Sequence, residues 1–540
     1  MSTISHYPGN QLFSTYRAIV ESCFYGNNVK DLPTVQSAYH HACQSPGTIQ
    51  TNIPLHQPLA NGFPADATIL VFNDGEVVGR SAQSRVLANM KNLDIRKFSA
   101  VLREAAYEIR FHTMYHCQAI IGLHENMMIK GHLLISRDFE NLALNWMINF
   151  QPITPEYQDR YTNSQPMEEP DILLISYPQW KHPDFPLGLA FFDPDHNCGM
   201  LLGMRYFGEH KKGTLTLGWN IANRNGYAAC HGGLKRYDDN QFVLAAFGLS
   251  GSGKSTITHS RHNGKYDITI LHDDAFVINT GDFSSIAMEP TYFDKTSDYQ
   301  IGADDNQYIL TAQNVGVSQD SEGHHLLVTE DIRNANGRAI KSRFWSPKRI
   351  DYMPNPINAI CWLMKDPTLP PVIKLTDPVL ASVMGATLAT KRTSAERVSA
   401  EDMLKLVVEP YANPFRTYPL QQDYFKFKQL IENGISCYIL NTGDFMGRKV
   451  TKEITIGIIE KIVEGNAEFI PWPPFENFMQ IMDIEGFIPD MNDQLYVNSL
   501  RARFQDRLDF IRSRATEQEG FDALPAEAEK IIQLLIQKLH

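Results

Sequence analysis

The strongest constraint on this chain lies at residues 242–256, where the apolar run Phe-Val-Leu-Ala-Ala-Phe leads into Gly-Leu-Ser-Gly-Ser-Gly-Lys-Ser-Thr. Gly248, Gly253, Lys254 and Ser255 satisfy the spacing G-x-x-x-x-G-K-[ST], and the residues that follow suit a helix. Such a segment works only as a strand, a tight turn and a helix in that order, which demands an α/β architecture. Its glycines let successive backbone N–H groups face an anion. A following helix N-terminus adds partial positive charge, Lys254 neutralises outer phosphates, and Ser255 can hold magnesium. Leu249, Ser250, Gly251, Ser252 and Thr256 complete the expected nucleotide-binding segment. Further on, Asp273 and Asp274 close the β-type run Ile-Thr-Ile-Leu-His. A carboxylate there can reach a metal beside the phosphates.

A chain of 540 residues exceeds what one hydrophobic core serves, so two or three domains are expected. The 61 acidic and 49 basic residues give a formal charge of −12, which argues against a nucleic-acid binder that works by neutralising phosphates. Seven cysteines, widely spaced and without a CxxC pair, fit a reducing compartment. The first residues carry neither a basic nor an apolar leader region, and no stretch of about eighteen uncharged apolar residues occurs. A cytoplasmic protein is therefore expected, with no membrane and no nucleic-acid partner.

Along the chain, residues 11–24 show helical spacing, Ala-Thr-Ile-Leu-Val-Phe reads as a strand, and 85–112 has the length and spacing of helices. The runs at 171–178, 187–193, 214–222, 241–249, 267–274, 357–365 and 435–444 read as β-rich, several ending in Gly or Asp, where α/β proteins place ligand loops. Turn chemistry at Asn-Arg-Asn-Gly-Tyr suggests a boundary near residue 225, dividing an N-terminal substrate-side domain, 1–225, from a nucleotide-binding domain, 226–540. His40, His41 and Cys43, and the pair His324 and His325, lack zinc spacing and read as loop or helix-face residues.

Nearly half the chain precedes the glycine-rich loop, and the Gly-Leu-Ser-Gly opening followed by an Asp-Asp strand end resembles ATP-dependent phosphoenolpyruvate carboxykinases. Further segments resemble that family's motifs in order. Arg80 lies in Val-Val-Gly-Arg-Ser, Tyr206 and Lys212 in Tyr-Phe-Gly-Glu-His-Lys-Lys-Gly, and His231 in Ala-Ala-Cys-His-Gly-Gly. Lys295 ends Tyr-Phe-Asp-Lys, Arg333 ends Thr-Glu-Asp-Ile-Arg, and Thr-Leu-Pro-Pro-Val-Ile-Lys-Leu-Thr matches closely. Tyr-Ile-Leu-Asn-Thr-Gly-Asp, followed by Gly-Arg-Lys-Val-Thr, resembles the base-lining segment, bringing in Lys449 and Thr455. Departures include serines for threonines at 252 and 255, Gly-Gly-Leu-Lys after His231, and Pro-Thr-Tyr at 290–292. In the base segment Lys449 stands where an arginine would stack on adenine, and a lysine has no planar group to stack.

The resemblance implies a two-domain carboxykinase-like α/β fold with a phosphate-loop-containing mononucleotide-binding C-terminal domain. It implies conversion of oxaloacetate and ATP, or another phosphoryl donor, to phosphoenolpyruvate, CO2 and ADP, in a monomer or small homo-oligomer. Magnesium would meet Ser255 and the nucleotide, with Asp273 nearby, and a second ion, manganese in this family, would be held by Lys212, His231 and Asp274. Arg80 and Arg333 would clamp carboxylate and phosphoryl groups. Lys254 and Lys295 would share phosphate charge, and Tyr206 would lie near substrate. The segment Thr-Leu-Ala-Thr-Lys-Arg-Thr-Ser-Ala-Glu-Arg falls where the family has a mobile lid. A kinase acting on another acceptor and a non-catalytic nucleotide-binding regulator remain alternatives at this point.

Overall fold

The computed structural model describes residues 14–73, 82–249, 251–330, 336–391 and 406–539. Its mixed α/β architecture contains several sheets, and it falls into two compact units. The first draws its described residues from Met1–Ile221 and Ala287–Asp351, the second from Ala222–Ile286, Tyr352–Thr393 and Val398–His540. A single cut near residue 225 therefore catches only the first crossing, because the chain returns to the N-terminal unit after Ile286.

The first unit opens with helix α1, Thr15–Cys23, capped by the Ser14 hydroxyl, which accepts from Arg17 N at 2.9 Å. Strands β1, Val29–Asp31, β2, Thr48–Pro54, β3, Thr68–Phe72, and β4, Arg85–Leu87, follow. The helical spacing read over 85–112 materialises only from helix α2, Ile95–Ile109, where the Asp94 carboxylate accepts from Lys97 N. Its first residues instead form β4, because they find a parallel partner strand. Next come the hairpin strands β5, Met114–His124, and β6, Met127–Ser136, then β7, Ile172–Tyr177, β8, Leu189–Asp193, and β9, Cys198–Leu202. An eight-stranded sheet runs β1-β5-β6-β7-β9-β8-β4, with the short Gln151–Pro152 strand also paired to β5. Helices α1 and α2 bury Tyr16, Val20, Leu102, Ala105 and Ile109 in one core with residues of β7, β8 and β9. A second, five-stranded sheet joins β2 and β3 to 292–295, 309–313 and 338–341.

Helix α3, Phe207–Arg224, overturns one expectation, since the Thr-Leu-Thr-Leu-Gly-Trp run inside it reads as strand by alternation. Both its threonines and its leucines at 214–217 are buried, so no polar face exists to reveal a 3.6-residue period. Burial on all sides overrides the β-propensity of threonine.

After the turn at Gly226, whose φ of 83° favours glycine, strand β10 spans Tyr227–Tyr237 and β11 spans Phe242–Phe247. Helix α4, Lys254–His259, then leads to β12, Ile268–His272, and β13, Ala275–Asn279. Strand β14, Ala359–Met364, β15, Val372–Leu375, helix α5, Pro378–Ala386, and β16, Ala389–Lys391, follow. Beyond these lie β17, Leu406–Val408, β18, Ser436–Asn441, helix α6, Lys452–Val463, and helix α7, Gln494–Thr516. The eleven-stranded sheet of this unit runs β13-β10-β11-β14-β18-β15 through its centre, and β12 pairs with β10 beside β13. Strands β11, β14 and β18 are parallel and almost wholly buried, as the apolar sequence runs predict. Helix α6 packs Ile458, Ile459 and Ile462 against them.

Candidate active site

At the carboxyl end of β11 the chain turns through residues 248–253 into α4. Ser250 lies outside the described residues. Gly251 and Gly253 have φ of 77° and 92°, the left-handed region where only glycine is unstrained. At Gly248 the requirement is space: a Cβ there would sit 2.2 Å from Ser252 Oγ and 2.9 Å from Leu363 Cβ. Leu249 and Ser252 are buried, the Ser252 N–H donates to Leu249 O at 3.0 Å, and Ser255 and Thr256 are exposed on α4.

The Lys254 ammonium is buried and lies 3.2 Å from Asp274 Oδ1. The same carboxylate oxygen lies 2.9 Å from His231 Nε2. Strand register produces this convergence: β10 pairs with β13 up to His231 opposite Ala275, then with β12 from Leu234 opposite His272. The Asp273–Asp274 connection therefore faces Gly232 and Gly233, and Gly232 N–H donates to Asp274 O at 3.1 Å. Glycine is needed at 233 because a Cβ would fall 1.9 Å from Thr258 Oγ1 of α4. The departure Gly-Gly after His231 thus lets α4 close onto β10.

Asp273 is buried, and His259 Nε2 lies 3.2 Å from its Oδ2. Burial alone would raise its carboxyl, but the bond to and charge of His259, with His272 and Lys254 adding to them, hold it below the usual carboxylate range. His272 Nδ1 accepts from the backbone N–H groups of Asp274 and Ala275 at 3.0 and 3.1 Å, fixing the turn.

The donor set can be tested for a divalent ion. His231 Nδ1 lies 2.5 Å from the Ala412 carbonyl oxygen, which can only accept, so Nδ1 carries a proton. In the neutral ring the Nε2 lone pair then points at Asp274 Oδ1, and two acceptors face one another at 2.9 Å. A shared proton or a cation resolves that arrangement, and imidazole with carboxylate is a ligand pair for a divalent ion. His231 and Asp274 fit such an ion as two of its ligands, although no group of three or more His, Cys, Asp or Glu positioned for a metal occurs among the described residues.

In the first unit Tyr206 is buried just before α3, and its hydroxyl accepts from Arg338 Nε at 2.9 Å. Burial lowers His210 to about 4, so the ring is neutral. Its Nδ1–H donates to Tyr206 O at 3.2 Å, and Nε2 accepts from the Ser176 hydroxyl at 2.7 Å. Lys295 is half-buried and sits opposite Arg338 in an antiparallel pair. Lys211 is fully buried 2.9 Å from Glu289, whose Oε2 accepts from Asn149. Lys212 is less buried, with its amine 5.7 Å from the Trp219 ring. Arg338, His210 and Glu289 are missed by sequence reading. The Glu that opens Glu-Pro-Thr-Tyr and the arginine five positions past Arg333 were the available signals.

Arg80, Arg333 and residues 392–405, which include most of the expected lid, lie outside the described residues. In the segment expected to line the base, Lys449 is exposed, while Arg448 lies over the Phe487 ring at 4.7 Å. Thr455 is buried and its hydroxyl donates to Thr451 O within α6.

Fold and relatives together define the chain as a mixed α/β enzyme of the lyase and phosphotransferase type. The family described as phosphoenolpyruvate carboxykinase matches residues 65–486, and the chain belongs to that family. It is similar to the ATP-dependent phosphoenolpyruvate carboxykinase of Aeropyrum pernix, 25% identical over 410 residues that cover 70% of this chain and 77% of that protein. The enzyme of the same name from Dictyostelium discoideum is 23% identical over 402 residues, covering 69% of this chain and 66% of that protein. No helix among the described residues is long and apolar enough to cross a membrane.

Proposed function

We propose that the chain converts oxaloacetate and ATP to phosphoenolpyruvate, CO2 and ADP, with residues 248–256 as the phosphate loop of a mononucleotide-binding region. The observation that carries the reading is the convergence of His231 Nε2 and Lys254 Nζ on Asp274 Oδ1, beside a glycine loop whose φ angles only glycine tolerates. On nucleotide binding, backbone N–H groups of the loop and Lys254 bind the phosphates, so Lys254 exchanges its carboxylate partner for phosphate oxygen. Divalent ions, when bound, would supply neutralisation of phosphate and enolate charge, with Ser255 on the nucleotide side and His231 and Asp274 holding the second.

The C3–C4 bond of oxaloacetate breaks, CO2 leaves, and the electron pair forms the C2–C3 double bond as the carbonyl electrons move to oxygen. That enolate oxygen attacks the γ-phosphorus, and the bond from phosphorus to the β,γ-bridging oxygen breaks to release ADP. No side chain need supply a proton, and a proton delivered to C3 would divert the enolate to pyruvate. His231 suits this chemistry in that its Nδ1 proton is committed to Ala412 O. Tyr206, whose hydroxyl accepts from Arg338 Nε and whose carbonyl accepts from His210, would lie on the substrate side and donate its hydroxyl hydrogen to a carboxylate edge. Arg80 and Arg333 keep the clamping roles that the family resemblance gives them, and Lys295 that of a phosphate partner.

The test is a coupled assay of phosphoenolpyruvate formation from oxaloacetate with magnesium and manganese, offering ATP, GTP or pyrophosphate in parallel. Turnover with one donor, lost in Lys254→Ala, is the expected result. ATP binding without phosphoenolpyruvate formation from any donor would overturn the carboxykinase reading and favour a kinase with another acceptor.

A further inference from the structure

A further feature lies on the outer face of the first unit. Helices α1 and α2 spend their inner faces on the sheet, and between their outer flanks runs a cleft of about 540 Å³. Its floor is apolar, made by Ala18 and Ile19 of α1 with Ala106 and Ile109 of α2. Arg103 and Arg110 form one wall. Arg96, Arg103 and Arg110 are all exposed and recur every seven residues, so they share one flank of α2 over about 21 Å. None of the three has a carboxylate partner among the described residues, although the chain as a whole carries a charge of −12. Lys97, by contrast, is paired with Asp184 at 2.9 Å.

Tyr107 lines the cleft beside the two arginines, and Phe111 and Tyr25 are exposed aromatic residues adjacent in sequence to its lining. Tyr107 is 55% exposed, Phe111 68% and Tyr25 64%. The Arg110 guanidinium lies 3.6 Å from the Tyr107 ring centre and 4.7 Å from that of Phe111, which holds it extended over the surface. The nearby acids do not cancel this charge. Glu21 is engaged with Arg17 and the Tyr25 hydroxyl, and Glu104 and Glu108 fall on the opposite flank of α2 at about 100° per residue. Exposed aromatic and arginine side chains around an apolar cleft have the composition of a protein-binding surface.

We propose that the α1–α2 cleft is a docking site for an acidic peptide segment of a partner protein, with apolar side chains in the floor and carboxylates on the arginine flank. The length of the arginine row decides between ligand classes. A small anion spans one or two of these arginines, whereas an extended or helical peptide with acids at intervals meets all three.

Fluorescence anisotropy with a fluorescein-labelled peptide repeating Glu-Glu-Leu tests this on the full chain. Saturable binding on the order of 10 μM is expected, weakening as salt is raised. The double variant Arg103→Glu with Arg110→Glu should weaken it about tenfold or more. Arg103→Gln with Arg110→Gln should give a smaller loss in the same direction, and because all of these side chains are exposed the thermal midpoint should not move. No saturable binding, equal affinity for a Lys-Lys-Leu repeat, or undiminished binding by the charge-reversed variant would overturn the proposal. So would binding to phosphatidylserine vesicles without binding to the peptide, which would make the face a membrane-contact surface instead.

Discussion

Arg507→Met should be among the most damaging single substitutions remote from the proposed site. In helix α7 the Arg507 side chain is 2% exposed and its Nη2 donates to Asp366 Oδ2 at 3.0 Å, Asp366 being fully buried. Its Nη1 also donates to the carbonyl of Thr387 at the end of α5. Methionine retains the apolar volume but strands a buried carboxylate and a buried carbonyl. Removing one partner of a buried pair costs about 3–5 kcal/mol. Arg503, whose Nε is 3.6 Å from the same oxygen, supplies partial compensation and points to the lower end of that range. At about 2–4 °C per kcal/mol for a unit of this size, a cost near ~3 kcal/mol should appear in calorimetry as a midpoint lowered by roughly 6–12 °C. The effect should reach nucleotide binding, because Asp366 O accepts from Asn441, which lies within the segment proposed to line the base. Adding Asp366→Asn removes the stranded charge while keeping the acceptor for Thr368 N–H and hydroxyl, so the double variant should regain most of the loss. A single-variant cost below about 1 kcal/mol, or a double variant no better than the single, would refute the view that the buried charge dominates.

Three further outcomes are expected. Gly248→Ala, which sets a Cβ against Ser252 Oγ and Leu363, should weaken ADP binding measured by calorimetry at least about tenfold while leaving Cys- and Trp-based probes of the rest unchanged. Burial lowers Lys235 to about 7, so the folded chain holds fewer protons than the unfolded one between about 7 and 10.5. Stability should therefore rise with pH across that window, and Lys235→Met should flatten the rise and stabilise the protein most below pH 7. Of the seven free cysteines, five are buried, and burial raises Cys23 to about 11, so a thiol reagent at neutral pH should react slowly with at most Cys23 and Cys43 and with all seven after unfolding.

Local patterns revealed the strand, glycine loop and helix at 242–259, because spacing, apolarity and backbone demand coincide there. The parallel strands at 359–364 and 436–441 were legible for the same reason, being short apolar runs bounded by turn residues. Residues 207–224 were not, since a helix buried on every side offers no amphipathic period. The pairing of Lys211 with Glu289, the support of Tyr206 by Arg338, and the proton on His231 Nδ1 depend on groups separated by 78, 132 and 181 positions. No spacing rule reaches that far. The return of 287–351 to the N-terminal unit is hidden likewise, since no composition change marks it.

Strand β10 pairs on one edge with β11, which delivers the glycine loop, and on the other with β13 and then β12, which deliver the two aspartates. The loop and the acid pair are thereby both measured from one ruler, three residues long, at His231, Gly232 and Gly233. A local shift of β10 carries its histidine and both neighbouring connections together, so their mutual spacing survives small distortions elsewhere in the sheet.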